Sequence, residues 1–296
     1  MACIQTQTKC MESKMECQIK ETRDNREAQI LLPPSLNGER VGNDTERREG
    51  EKIQVVAQRL QCFRPPPWRN LNGEMVENDG DDHKHGINSS MMHFVGIKRR
   101  QRAAVLVCLF EGTGCELRVV LTKRSLNLSS HPGEVALPGG KWEEGDADDS
   151  ATALREAMEE IGLEPSLVQV VANLEPFISQ HQLIVIPVVG LLPRIGDFKP
   201  SPNPDEVEAM FTAPLEMFLK EDRHRCEERE WGSWKYTTHG FDFEAEQGAS
   251  FLIGGLTASI LIRTASLVYQ RSPDFSHQCL PDFQHLQKIL HAGVAP

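Results

Sequence analysis

The chain has 296 residues, 39% of them hydrophobic, and a formal net charge of -11. That length allows one large domain or two small ones with a substantial core. The acidic balance argues against nucleic acid as a main partner, because phosphate backbones need a basic surface. No apolar run reaches the roughly 20 residues of a membrane span.

The eight cysteines contain no CxxC pair, and no secretory signal is evident, so reduced thiols in an intracellular compartment are expected. Acids at Glu12, Glu16 and Glu21 precede the first arginine, Arg23, and do not suit a transit peptide. The terminal Val-Ala-Pro matches no peroxisomal address. The cytoplasm is therefore favoured, with mitochondrion or plastid left open. The oligomeric state is open too, a homodimer included.

Residues 1–50 are polar and charge-rich and are expected to be disordered. Residues 51–97 read as a docking helix and linker. Ile53, Val56, Ala57 and Leu60 have helical spacing, and Pro65-Pro66-Pro67 ends the helix. His83 and His85 follow an acidic patch but lack a further ligand at useful spacing, and read as a solvated loop. A compact domain is expected over 98–275, with a tail at 276–296. Its predicted strands are 103–110 and 117–122, joined by a turn at 111–114, then 135–137, 168–177, 182–192 and 206–211. A second hairpin is expected within 231–243. Helical stretches are expected at 214–220 and 255–270. The fold class is α+β by content, a mixed β-sheet in an α/β/α sandwich by architecture.

The most informative segment follows the turn Pro138-Gly139-Gly140. Asp148, Asp149 and Ser150 are capping candidates for a helix that Gly162 would end. At 100° per residue, Ala151, Leu154, Met158 and Ile161 span about 80° and form a predicted core stripe. Glu156, Glu159 and Glu160 span about 100° on the other side, and Arg155 can reach Glu159 at i,i+4. A solvated acidic face is the ordinary meaning of such a cluster. Against it, like charges at i,i+4 cost roughly 0.2–0.5 kcal/mol per pair. Carboxylates on a rigid element also suit Mg²⁺, which prefers hard oxygen ligands.

Arg155 to Leu163 resembles the second half of the Nudix box, G-x5-E-x7-R-E-[apolar]-x-E-E-x-G-[apolar], at every specified position. The first half departs from it: Asp146 stands where the glutamate would, and eight residues rather than seven separate it from Arg155. Upstream, Val120-Leu121-Thr122-Lys123-Arg124-Ser125, His131, Gly133-Glu134 and Pro138-Gly139-Gly140 resemble the signature of coenzyme A diphosphatases, and the whole is similar to plant members of that group. The resemblance runs from about residue 100 to about 270.

It implies a Nudix fold and hydrolysis of the diphosphate of coenzyme A or acyl-CoA, giving adenosine 3′,5′-bisphosphate and (acyl-)4′-phosphopantetheine. It also implies Mg²⁺ or Mn²⁺ held by Glu156, Glu159 and Glu160, with the Gly140 carbonyl as an additional ligand. Arg155 would hold a glutamate in place. Lys123 and Arg124, with Ser125 and His131 in the same block, would meet the substrate, the two cations at its 3′-phosphate. The general base stays open between Glu156 or Glu159 and an outside group: Glu206, Glu208 or His181. Asp146 is at most a peripheral ligand. Two other readings remain: hydrolysis of another nucleoside diphosphate derivative, such as ADP-ribose or an oxidised nucleotide, and an inactive binding module on the same fold.

Overall fold

The computed structural model describes residues 27–32, 51–63, 102–179, 183–231 and 234–275. His83, His85, His181 and the tail 276–296 lie outside the described residues. In chain order the elements are β1 (Gln29–Leu31), α1 (Glu51–Gln61), β2 (Arg102–Glu111), β3 (Leu117–Arg124), β4 (Val135–Ala136), β5 (Gly139–Lys141) and α2 (Asp149–Ile161). There follow β6 (Gln169–Asn173), β7 (Phe177–Ile178), β8 (Ile184–Leu191), β9 (Val207–Pro214), β10 (His224–Trp231), β11 (Trp234–Glu244), β12 (Ser250–Gly254) and α3 (Gly255–Tyr269).

Strands β2 and β8 are apolar nearly throughout and pair in parallel from Arg102 with Ile184 to Leu109 with Leu191. Such continuous apolar runs belong in a sheet covered on both faces. The main sheet runs β1-β9-β3-β2-β8-β6, with β4 on β3, β5 on β2 and β7 on β8. One face packs against α1 and α3 through Ile53, Val56, Leu60, Phe211, Ile260 and Leu261. The other packs against α2 through Leu106, Phe110, Ile186, Ala153, Ala157 and Ile161. The sandwich with a mixed sheet is therefore as expected. Burying side chains such as Ile53 and Leu60 is worth about 1.5–3 kcal/mol each, which is what docks α1.

Several boundaries differ from expectation. Residues 29–31 fall in the segment expected to be disordered, yet they form an edge strand parallel to β9, Gln29 opposite Ala209. Three residues carry too little periodicity to stand out, and the pairing partner is far away in sequence. The stretch expected as a helix at 214–220 is a short 3₁₀ turn, Leu215–Leu219, preceded by Pro214. The strand expected over 168–177 divides into β6 and β7. The second hairpin starts earlier than expected, with charged β10 pairing along β11, and β12 completes a separate three-stranded sheet.

Candidate active site

Helix α2 begins where the Asp148 carboxylate accepts a hydrogen bond from the Ala151 amide at 2.8 Å, a cap worth about 1 kcal/mol. It ends at Gly162 in the left-handed region (φ 71°). There the Gly162 amide donates to Met158 O at 3.0 Å and Leu163 to Ala157 O at 3.3 Å, a glycine-terminated helix end. Asp149 in the first turn is buried against Arg102, whose Nε donates to its Oδ1 at 2.5 Å.

The helix is rotated from the predicted orientation. The fully buried residues are Ala153, Ala157 and Ile161, whereas Ala151 and Leu154 are only half-buried and Met158 is exposed. Alanines let the helix backbone lie close over β2 and β5, which a Leu/Met stripe would hold off. The rotation separates the three glutamates. Glu160 is 4% exposed, Glu156 is half-buried and Glu159 faces solvent. Glu156 and Glu160 flank the alanine seam, about 40° apart around the axis.

The glycine turn meets this seam. Gly139 N donates to Glu160 Oε2 at 3.3 Å, and a Cβ on Gly140 would overlap the Glu156 carboxyl group. A side chain at 140 would therefore displace that carboxylate from the turn.

Arg155 binds the neighbouring acids into one network. Its Nε and Nη2 donate to the two oxygens of Asp146 at 2.9 and 3.1 Å, its Nη1 to Glu159 Oε2 at 3.2 Å, and its Nη2 to Lys141 O at 3.1 Å. Glu156 Oε1 is 3.2 Å from the same Nη1. Asp146 also accepts from Glu143 N at 3.0 Å and Thr152 Oγ1 at 2.9 Å. Burial alone would raise the Asp146 pKa, but the Arg155, Glu143 and Thr152 hydrogen bonds outweigh it and hold the carboxyl below its ordinary value. The Asp146 hydrogen bonds push Arg155 upward. Both Asp146 oxygens are committed to Arg155, so the shortened, displaced acid anchors the arginine.

Residues 201–206 dock on the end of α2: Ser201 N donates to Ile161 O and Asn203 N to Glu160 O, both at 2.9 Å. Ser125 N donates to Glu206 O at 2.8 Å, and Asn203 Nδ2 to Glu206 Oε1 at 3.2 Å. Glu206 thereby enters the field of the α2 acids. Burial, with added repulsion from Glu156 and Glu206, pushes the Glu160 carboxyl up to about 8, against the pull of Arg124 and the Gly139 amide. Burial also raises Glu156, with Arg155 opposing and Glu159 and Glu206 adding. Asn203 was not singled out from sequence; its only signal was the turn composition of Ser201-Pro202-Asn203-Pro204-Asp205.

The upstream block reaches the same edge. Arg124 Nη1 is 3.8 Å from Glu160 Oε1, and its Nε donates to Ser130 O at 3.4 Å. Lys123 Nζ donates to Glu208 Oε1 at 2.8 Å. Ser125 is buried, and its Oγ accepts from Asn127 N at 3.3 Å within the turn. His131, at φ 53°, is exposed with Nδ1 2.9 Å from Glu134 Oε2.

Among the described residues, no three acidic, histidine or cysteine side chains stand at ready-made coordinating distances. Glu159 is drawn outward to Arg155. The donor set is nonetheless of the kind a hard dication takes: oxygen atoms only, on carboxylates that burial and mutual repulsion make costly to ionise.

Comparison with known proteins agrees with this architecture. A NUDIX domain family profile matches residues 99–234. The chain is 60% identical over 185 residues to Nudix hydrolase 15, mitochondrial, of Arabidopsis thaliana, a match covering 62% of this chain and 64% of that protein. It is 50% identical over 236 residues to Nudix hydrolase 22, chloroplastic, of the same plant, covering 77% and 76%. The mouse peroxisomal coenzyme A diphosphatase NUDT7 is 39% identical over 173 residues, covering 58% and 72%. Among the described residues no helix is long and apolar enough to cross a membrane.

Proposed function

This chain belongs to the Nudix hydrolase family, enzymes acting on diphosphate bonds, and from that premise we propose that it hydrolyses the diphosphate of coenzyme A or an acyl-CoA. The observation that carries the reading is one shared edge. Glu156 and Glu160 lie at the Gly139-Gly140 turn with Glu206 in their field, and Lys123 and Arg124 end strand β3 beside them. The 39% identity to the mouse coenzyme A diphosphatase supports the same substrate class.

Mg²⁺ or Mn²⁺ held by Glu156, Glu160 and the Gly140 carbonyl, with Glu159 turning inward as a further donor, would neutralise diphosphate charge and acidify a water. Arg155, fixed by Asp146, holds Glu156 and Glu159 in register with the turn. Glu206 is the outside acid best disposed to accept a proton from a water in the site, because its side chain meets only the neutral Asn203 amide among the described residues, whereas Glu156 and Glu159 are engaged by Arg155 and Glu208 by Lys123. Arg124 and Lys123 supply cationic contacts for the 3′-phosphate at the end of β3, beside the α2 acids. Ser125 shapes the turn that carries them, and His131 borders it. Exclusion of bulk water around Glu160 strengthens every charge interaction in the site.

Turnover of coenzyme A, ADP-ribose and dGTP compared at matched Mg²⁺ and Mn²⁺ tests the reading. Coenzyme A is expected to have the highest kcat/KM. A wide margin for ADP-ribose would overturn the substrate assignment and leave the family membership standing.

A further inference from the structure

Strand β9 is not in even register with β3. Lys123 pairs with Ala209 and Arg124 with Val207, leaving Glu208 as the extra residue of a β-bulge. Bulges re-aim side chains beside active sites, and this one directs Glu208 to Lys123 Nζ at 2.8 Å. Its second oxygen, Oε2, is buried with no hydrogen-bond partner among the described residues. One residue further along β3, Arg124 is committed to Glu160 and to the turn. The two cations are thus held differently: Arg124 by Glu160 of α2, Lys123 by a carboxylate that is itself only half satisfied.

The Lys123–Glu208 pair is partly exposed and so weakly held, and the unpartnered Oε2 adds a cost to keeping Glu208 in this pose. A phosphomonoester carries about -1.5 to -2 charge near neutrality and three acceptor oxygens, and outcompetes a single carboxylate for an ammonium group. Resting on the coenzyme A reading above, we propose that Glu208 is a specificity-determining latch. It neutralises Lys123 in the free enzyme and yields it only to a ligand bearing the additional 3′-phosphate. Glu208 acts through Lys123 and is a positioning residue. The latch makes the extra phosphate displace a competitor from Lys123, and so attenuates the preference for ligands that carry this group.

Calorimetric affinities of the full chain for adenosine 3′,5′-bisphosphate and for AMP test this, each measured with wild type, Glu208→Gln, Lys123→Gln and the double variant. Both ligands carry the 5′-phosphate, so a general gain in positive potential cancels in their ratio. In Glu208→Gln the preference for the bisphosphate should rise roughly three- to five-fold, the range of a partly exposed ion pair. In Lys123→Gln it should fall, and adding Glu208→Gln there should change nothing. Equal tightening of both ligands, or an effect of Glu208→Gln that survives in the Lys123→Gln background, would overturn the latch. Wild type that turns over coenzyme A but shows a flat ratio sinks only the latch. Wild type that neither prefers the bisphosphate nor turns over coenzyme A sinks the substrate reading, and the latch with it.

Discussion

Helix α2 and the β9 edge both deliver carboxylates to one site, by opposite means. On α2 the acids are four residues apart, and a capped helix fixes their spacing, with Asp148 at one end and Gly162 at the other. At the start of β9 the acids are two residues apart, Glu206 just before the strand and Glu208 within it, and their placement depends on a bulge opposite Lys123 and on Asn203 docking against Glu160. The helix provides rigid donors near a glycine turn, and the strand edge provides adjustable ones. On the proposed mechanism the enclosed helical acids, Glu156 and Glu160, stay in place, while Glu208 exchanges partners at the irregular start of β9.

The comparison breaks most sharply if the helical acids prove dispensable. Glu156→Gln and Glu160→Gln should each lower kcat by about a thousand-fold or more, roughly 4 kcal/mol of barrier, with near-native circular dichroism. Steady-state turnover with saturating metal checks this. Glu206→Gln should cost less, on the order of a hundred-fold, the scale of losing a positioned proton acceptor. A Glu206→Gln enzyme with unchanged kcat would move the base back onto the helix.

How far each region was legible in the sequence follows the same division. Arg155, the three glutamates and both ends of α2 were readable because their relations are local and helical. The orientation of α2 was misjudged because hydrophobicity alone favoured Leu154 and Met158, while close packing on the sheet selected Ala153 and Ala157. Strand β1 and the bulge at Glu208 were invisible because strand pairing joins residues some 85 to 180 positions apart, which no short-range pattern records. Asp146 was legible only as a departure from the family pattern. Its bidentate contact with Arg155 needed the fold.

Asp146→Ala sharpens that last point. If the acid anchors Arg155 without holding metal, activity should fall about 10- to 100-fold, the usual scale of an outer-shell partner. The apparent metal affinity should follow the loss of Arg155 order and should not collapse as in Glu160→Gln. Titration of Mn²⁺ against both variants separates the two cases.

A smaller effect concerns pH. Without metal, folded Glu160 keeps its proton up to about pH 8, whereas in the unfolded chain it ionises near the ordinary glutamate value of about 4.3. Because the folded pKa is raised, this contribution to stability is complete below the unfolded value and disappears as pH rises through about 8. Between these limits the unfolded state has released the proton and the folded state has not. The unfolding free energy of metal-free protein, read from urea titrations, should therefore decline across this window by at most about 1.4 kcal/mol per pH unit. Glu160→Gln should flatten the slope, as should saturating Mg²⁺.

The smallest effect separates the glutamates of the helix from one another. Glu159 is exposed and held by Arg155 Nη1 at 3.2 Å, while Glu156 and Glu160 are enclosed between the alanine seam and the glycine turn. An outward donor must rotate away from Arg155 before it can serve, and its contribution is offset by the ion pair it gives up. Glu159→Gln should therefore reduce kcat by less than about ten-fold, the worth of a partly exposed contact. It should mainly raise the metal concentration needed for half-maximal rate. A loss as large as that of Glu160→Gln would mean that the outward pose is abandoned entirely in the loaded enzyme. The helix would then share the adjustability that the geometry assigns to the strand edge.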